Sequence, residues 1–61
     1  MKNSLEKLLG FTPTPLQITS YYKSWLLKLK YYQRMDLQDD AQRQQKKIDQ
    51  LLLAAKEVYG S

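Results

Sequence analysis

The six residues Met35–Asp40, MDLQDD, decide between two architectures for this chain. On each side lies a stretch of about twenty residues with helical periodicity. The six contain neither Gly nor Pro. The flanking stretches can therefore merge into one bent helix from Pro15 to Tyr59. The other reading makes the six a turn. Asp36 can cap a new helix, and Asp39 and Asp40 place negative charge in its first turn, where the helix dipole favours it. A short turn between long helices makes them antiparallel neighbours. The expected core element is then a helical hairpin, with helices over 15–35 and 36–59. At the standard rise each would be roughly 30 Å long.

Upstream of the turn, Thr14-Pro15 opens the first long helix. Thr14 is an N-cap candidate, Pro15 suits the first helical position, and Gln17 follows Thr14 at capping-box spacing. On a 3.6-residue period, Ile18, Tyr22, Trp25, Leu26, Leu29 and Tyr32 share one face. Lys23, Lys30 and Arg34 border that face, while Ser20, Ser24, Leu27 and Tyr31 point away.

Downstream, Leu37, Ala41, Gln44, Ile48, Leu51, Ala55 and Val58 recur at alternating spacings of four and three, a heptad-like seam. Leu52 and Tyr59 widen it, and Gly60 ends it. Asp39 and Arg43 form a helix-supporting pair one turn apart. Gln44 sits inside the seam. Either it fixes register or oligomeric state, or it lies at the wet end of the bundle.

Before the linker, Asn3 or Ser4 can cap a short helix carrying Leu5, Leu8 and Leu9, and Gly10 ends it. So short a helix is marginal alone and must dock. Phe11-Thr12-Pro13-Thr14 is an extended linker, because proline disfavours helix in the residue before it.

The whole is read as one all-α domain over 1–61: short helix 1–10, linker 11–14, helices 15–35 and 36–59. A chain this small has a thin core and usually needs a staple. Cys and His are both absent, so disulfides and the usual zinc ligands are excluded. Two completions stay open. The short helix can lie across the hairpin with Phe11 as anchor, or two hairpins can pair as a four-helix bundle. Dimerisation is the expectation, through a seam of Tyr22, Trp25, Leu29, Ile48, Leu51 and Leu52.

Without His or Cys the commonest general base and strongest nucleophile are missing, and the two glycines stand too far apart for a phosphate loop. No enzyme activity, cofactor or metal is expected. Asp36, Asp39 and Asp40 lack the alternation and glycine of a calcium loop. The N-terminal run is too short for a signal peptide, and no apolar stretch is long enough to span a bilayer, so a cytoplasmic protein is the default.

Gln45–Leu52, QKKIDQLL, resembles in part a stretch of the small hairpin phosphatases that act on response regulators. Those carry a Ser-Gln-Glu-Leu-Asp pattern on the second helix of a hairpin. Only the aliphatic-Asp-x-Leu-Leu portion is shared, and other residues replace the Ser, Gln and Glu. The chain is not assigned to that family. Asp49 is read as an outer-face residue beside Lys46.

Three binding readings remain. Residues 15–35 hold Lys23, Lys28, Lys30 and Arg34 and no acid, so this helix carries the whole excess of the +4 net charge. Lys23, Lys30, Tyr31 and Arg34 can serve nucleic acid, cations tracking phosphates and the ring stacking on bases. Taken alone, Lys23–Lys30 resembles an interfacial membrane helix, but pairing with the next helix would cover its apolar face. The favoured reading is a protein partner, with Tyr21, Leu27, Tyr31 and Leu53 projecting outside the main stripe as the interaction face. The protein is thus expected to be a small helical regulator, adaptor or assembly component.

Overall fold

The computed structural model describes residues 1–60 and is all helical apart from its connections: α1, Ser4–Leu9; α2, Pro15–Arg34; α3, Gln38–Tyr59. The long axis is 38 Å. That is little more than the roughly 33 Å that the 22 residues of α3 span at 1.5 Å each.

Local chemistry sets most of the boundaries. The Glu6 N–H donates to Asn3 Oδ1 at 2.8 Å, which caps α1. Gly10 closes it in the left-handed region at φ 88°, its N–H bonded to the Glu6 carbonyl. A Cβ built on Gly10 would meet nothing within 4 Å. Backbone conformation, rather than space, therefore asks for glycine here. At α2 the expected capping box is complete: the Gln17 N–H donates to Thr14 Oγ1 at 3.2 Å, and the Thr14 N–H donates to Gln17 Oε1 at 2.9 Å.

The helix does not run on from Pro15 to Tyr59. It stops at Arg34 and restarts at Gln38. The stop is a Schellman-type end. The Leu37 N–H reaches the Tyr32 carbonyl at 2.9 Å, and the Asp36 N–H reaches the Gln33 carbonyl at 3.2 Å. Asp36 sits at φ 58°, in the left-handed region. This corrects the expectation that Asp36 caps the third helix. It closes α2 instead, in the place glycine usually holds, because a short polar side chain tolerates that conformation better than most. Leu37 occupies the N-cap of α3 and makes no side-chain cap bond. Asp39 and Asp40 do lie in the first turn of α3.

Both other helices lie on α3. Leu5 of α1, Ile18 of α2, and Leu51 and Ala54 of α3 form one buried cluster. Leu8, Leu9, Tyr21, Tyr22, Trp25, Ala55 and Val58 pack around it. Toward the other end, Leu29 and Ile48 are buried, and Gln44 is only 5% exposed. The Gln44 Nε2 donates to the Trp25 carbonyl at 3.2 Å, so this polar residue ties α3 to α2 rather than lying at a wet end.

α1 docks on its own chain. Six residues are too few to hold a helix in water by themselves. Leu5 is completely buried, and burying a leucine is worth about 1.5–3 kcal/mol. Polar ties then fix the segment. Ser4 Oγ donates to Glu57 Oε2, and Asn3 Nδ2 donates to Thr12 Oγ1 at 3.0 Å. The Tyr59 hydroxyl donates to the carbonyl of buried Pro13 at 2.6 Å. The linker is thus tied to the C-terminal end of α3, where α1 also docks.

Candidate interaction surfaces

The side of α2 opposite its buried stripe carries large apolar side chains in the open. Leu27 is 67% exposed and Tyr31, one turn later, 55%. Residues four apart on a helix stand on one face. Lys23, Lys30 and Arg34 are exposed as well. Counted from Lys23, the set falls at i, i+4, i+7, i+8 and i+11, the spacing of a single face. α2 therefore presents its expected protein-binding and nucleic-acid residues as one mixed apolar and basic surface. Leu16, 78% exposed, extends the same face by two turns. Its position seven residues before Lys23 and eleven before Leu27 is the sequence signal that places it there.

Tyr21 and Leu53 are not part of that surface. Tyr21 is half-buried against the core cluster, with the Phe11 and Trp25 rings each 6.2 Å away. The reading of Tyr21 as a free outer residue is corrected by the docking of the N-terminal segment, which brings Phe11 over it. Leu53 is exposed but lines a different feature, an open groove of about 300 Å³ between α1 and α3. Leu8 and Ala54 share its apolar floor, with Lys7 and Glu57 at its edge.

The expected self-association seam is largely used within one chain. Leu29, Ile48 and Leu51 are buried, and Tyr22 and Trp25 are half-buried. Leu52 departs from the expectation, being 47% exposed. The buried position on α3 passes to Ala54, because α1 lies against that flank and a small side chain lets it approach.

The turn acids Asp36, Asp39 and Asp40 border a shallow depression. Asp36 accepts from Gln38 Nε2 at 3.3 Å. Among the described residues no group of three or more His, Cys, Asp or Glu is placed to hold a metal ion. Asp49 is exposed and accepts a bond from Gln45 Nε2 at 3.0 Å, one turn earlier on the same helix. No helix of the described residues is long and apolar enough to cross a membrane.

No protein-family model, no curated protein and no solved structure matches this chain.

Proposed function

We propose that this protein is a small non-enzymatic protein-interaction module, a regulator, adaptor or assembly component, that works through the outer face of α2. Its stable unit is an antiparallel hairpin of α2 and α3 strapped by α1. The sharing of one cluster by Ile18 and the distant Leu51 supports that arrangement, as does the Gln44 bond to Trp25.

The observation that carries the reading is the pair Leu27 and Tyr31, adjacent on one helix face and more than half exposed, on a side that the protein's own core does not use. Large apolar side chains grouped on a surface are characteristic of interaction sites, and aromatic residues are enriched among those that contribute most to binding. Trp25, which lent the segment its resemblance to a membrane helix, packs inward against the core.

The test is affinity capture from the native host with the intact protein and with a Leu27→Ala, Tyr31→Ala variant. The variant is expected to keep its circular dichroism and lose its partner. An unchanged partner set would refute the reading.

Self-association is a second reading. It is favoured by Leu52 and Tyr59, exposed and seven residues apart on one flank of α3. Light scattering after gel filtration is expected to give a dimer, and a strict monomer at high concentration would exclude it.

A further inference from the structure

We infer that the segment seated on the outer face of α2 is an acidic amphipathic helix of a partner protein. The inference rests on the reading of that face as a protein-binding surface and adds the chemistry of the occupant.

The first argument is charge. Residues 15–35 contain four cations and no carboxylate. An acid one turn from a lysine would partly neutralise it. On α2 no such internal partner exists. Lys23, Lys30 and Arg34 therefore present a field of one sign beside Leu27 and Tyr31. An occupant whose carboxylates face these cations meets complementary potential, whereas a basic one meets repulsion.

The second argument is shape. Leu16, Leu27 and Tyr31 are the exposed apolar residues of this face and span about 22 Å along the axis at 1.5 Å per residue, with Ser20, Lys23 and Ser24 exposed between the first two. They form an interrupted ridge beside a depression lined by Gln17, Ser20, Tyr21 and Ser24. No strand occurs among the described residues, so there is no sheet edge to extend with an added strand. A second helix laid along the ridge at 8–10 Å is the ordinary way to cover such a surface (about the spacing of packed helices).

Two other anionic partners fit less well. An anionic bilayer favours a continuous apolar face opposite the charges. Here Lys23 and Arg34 fall nearly in line with Leu16 and Leu27, and Trp25 is turned into the core. Single-stranded nucleic acid asks for several stacking rings along a basic track. On this face Tyr31 is the one exposed ring among the described residues.

Fluorescence anisotropy of the full chain tests the inference with four probes. These are a labelled helical peptide of Leu and Glu with its leucines on one face, the same peptide with Lys for Glu, mixed-sequence single-stranded RNA, and vesicles of phosphatidylcholine and phosphatidylserine. The Glu peptide is expected to bind in preference to the other three and to weaken as salt rises. A Lys23→Glu, Lys30→Glu, Arg34→Glu variant is expected to bind it at least about tenfold more weakly and to gain affinity for the Lys peptide. Leu27→Ala with Tyr31→Ala should weaken binding with the charges intact. Equal binding of the Glu and Lys peptides, no binding of either, or tighter binding to vesicles or RNA would overturn the inference. If capture of a native partner still depends on Leu27 and Tyr31 while the Glu peptide fails, the acidic occupant is refuted and the interaction face stands.

Discussion

Leu51→Ala is expected to remove a large part of the chain's stability, about 2–5 kcal/mol, and to lower its urea midpoint sharply. Leu51 is completely buried in the cluster where α1, α2 and α3 meet. Truncating such a leucine typically costs about 2–5 kcal/mol, the lost transfer energy plus the cavity left behind. The margin available is small. At about 0.05–0.15 kcal/mol per residue, a chain of this length has roughly 3–9 kcal/mol in all. Leu53→Ala, two residues on, removes the same atoms from an exposed side chain and should change stability by less than about 0.5 kcal/mol. Urea titration followed by helical circular dichroism checks both. A Leu51→Ala chain that unfolds at the wild-type urea midpoint would mean that the three helices do not share this core.

Gln44→Glu is expected to destabilise the fold by on the order of 3 kcal/mol near neutral pH, and by much less in acid. Gln44 is buried and donates to the Trp25 carbonyl. An ionised glutamate has no donor, so the change sets a desolvated carboxylate against a carbonyl oxygen. Protonation restores an O–H donor. Burial therefore raises the carboxyl pKa of this variant in the folded state above its unfolded value of about 4.3. The sign follows from that shift. Relative to the native chain, the variant keeps its stability below about pH 4 and loses it as pH rises through the raised folded value. Gln44→Leu is the control. It takes away the donor but leaves the Trp25 carbonyl its partner within α2, so its cost should be small or negative. Denaturant midpoints of all three proteins across pH are the measurement. A Gln44→Glu deficit that is flat with pH would show that residue 44 is not buried against α2.

The features legible in the sequence were the local ones. The Thr14 and Gln17 box and the Gly10 stop each depend on groups within four residues of one another, and the side chains name them directly, whereas the cap of α1 is narrowed only to Asn3 or Ser4. The buried stripe of Ile18, Leu29, Ile48 and Leu51 was legible for a related reason. A helix face is an arithmetic property of spacing, and an apolar face must be covered by something. The exposure of Leu27 and Tyr31 followed from the same arithmetic, since they stand across the helix from that stripe.

Asp36 was not legible in this way. A polar residue between two helices reads equally as the end of one or the start of the next, and only the backbone, with φ at 58°, chooses. Tyr21, Leu52 and Ala54 were decided by tertiary packing. Periodicity places them near the border of their stripes, where a shift of some tens of degrees changes burial into exposure. Where α1 lies on α3 sets that shift. It brings Phe11 to Tyr21, seats Leu5 against Ala54, and leaves Leu52 open on the other side. The sequence by itself determined which segments are helical and which faces are apolar, because those properties are local and periodic. Only the tertiary structure decided which apolar face is consumed by the core and which stays exposed, because a six-residue helix docks through long-range contacts that spacing along the chain does not encode.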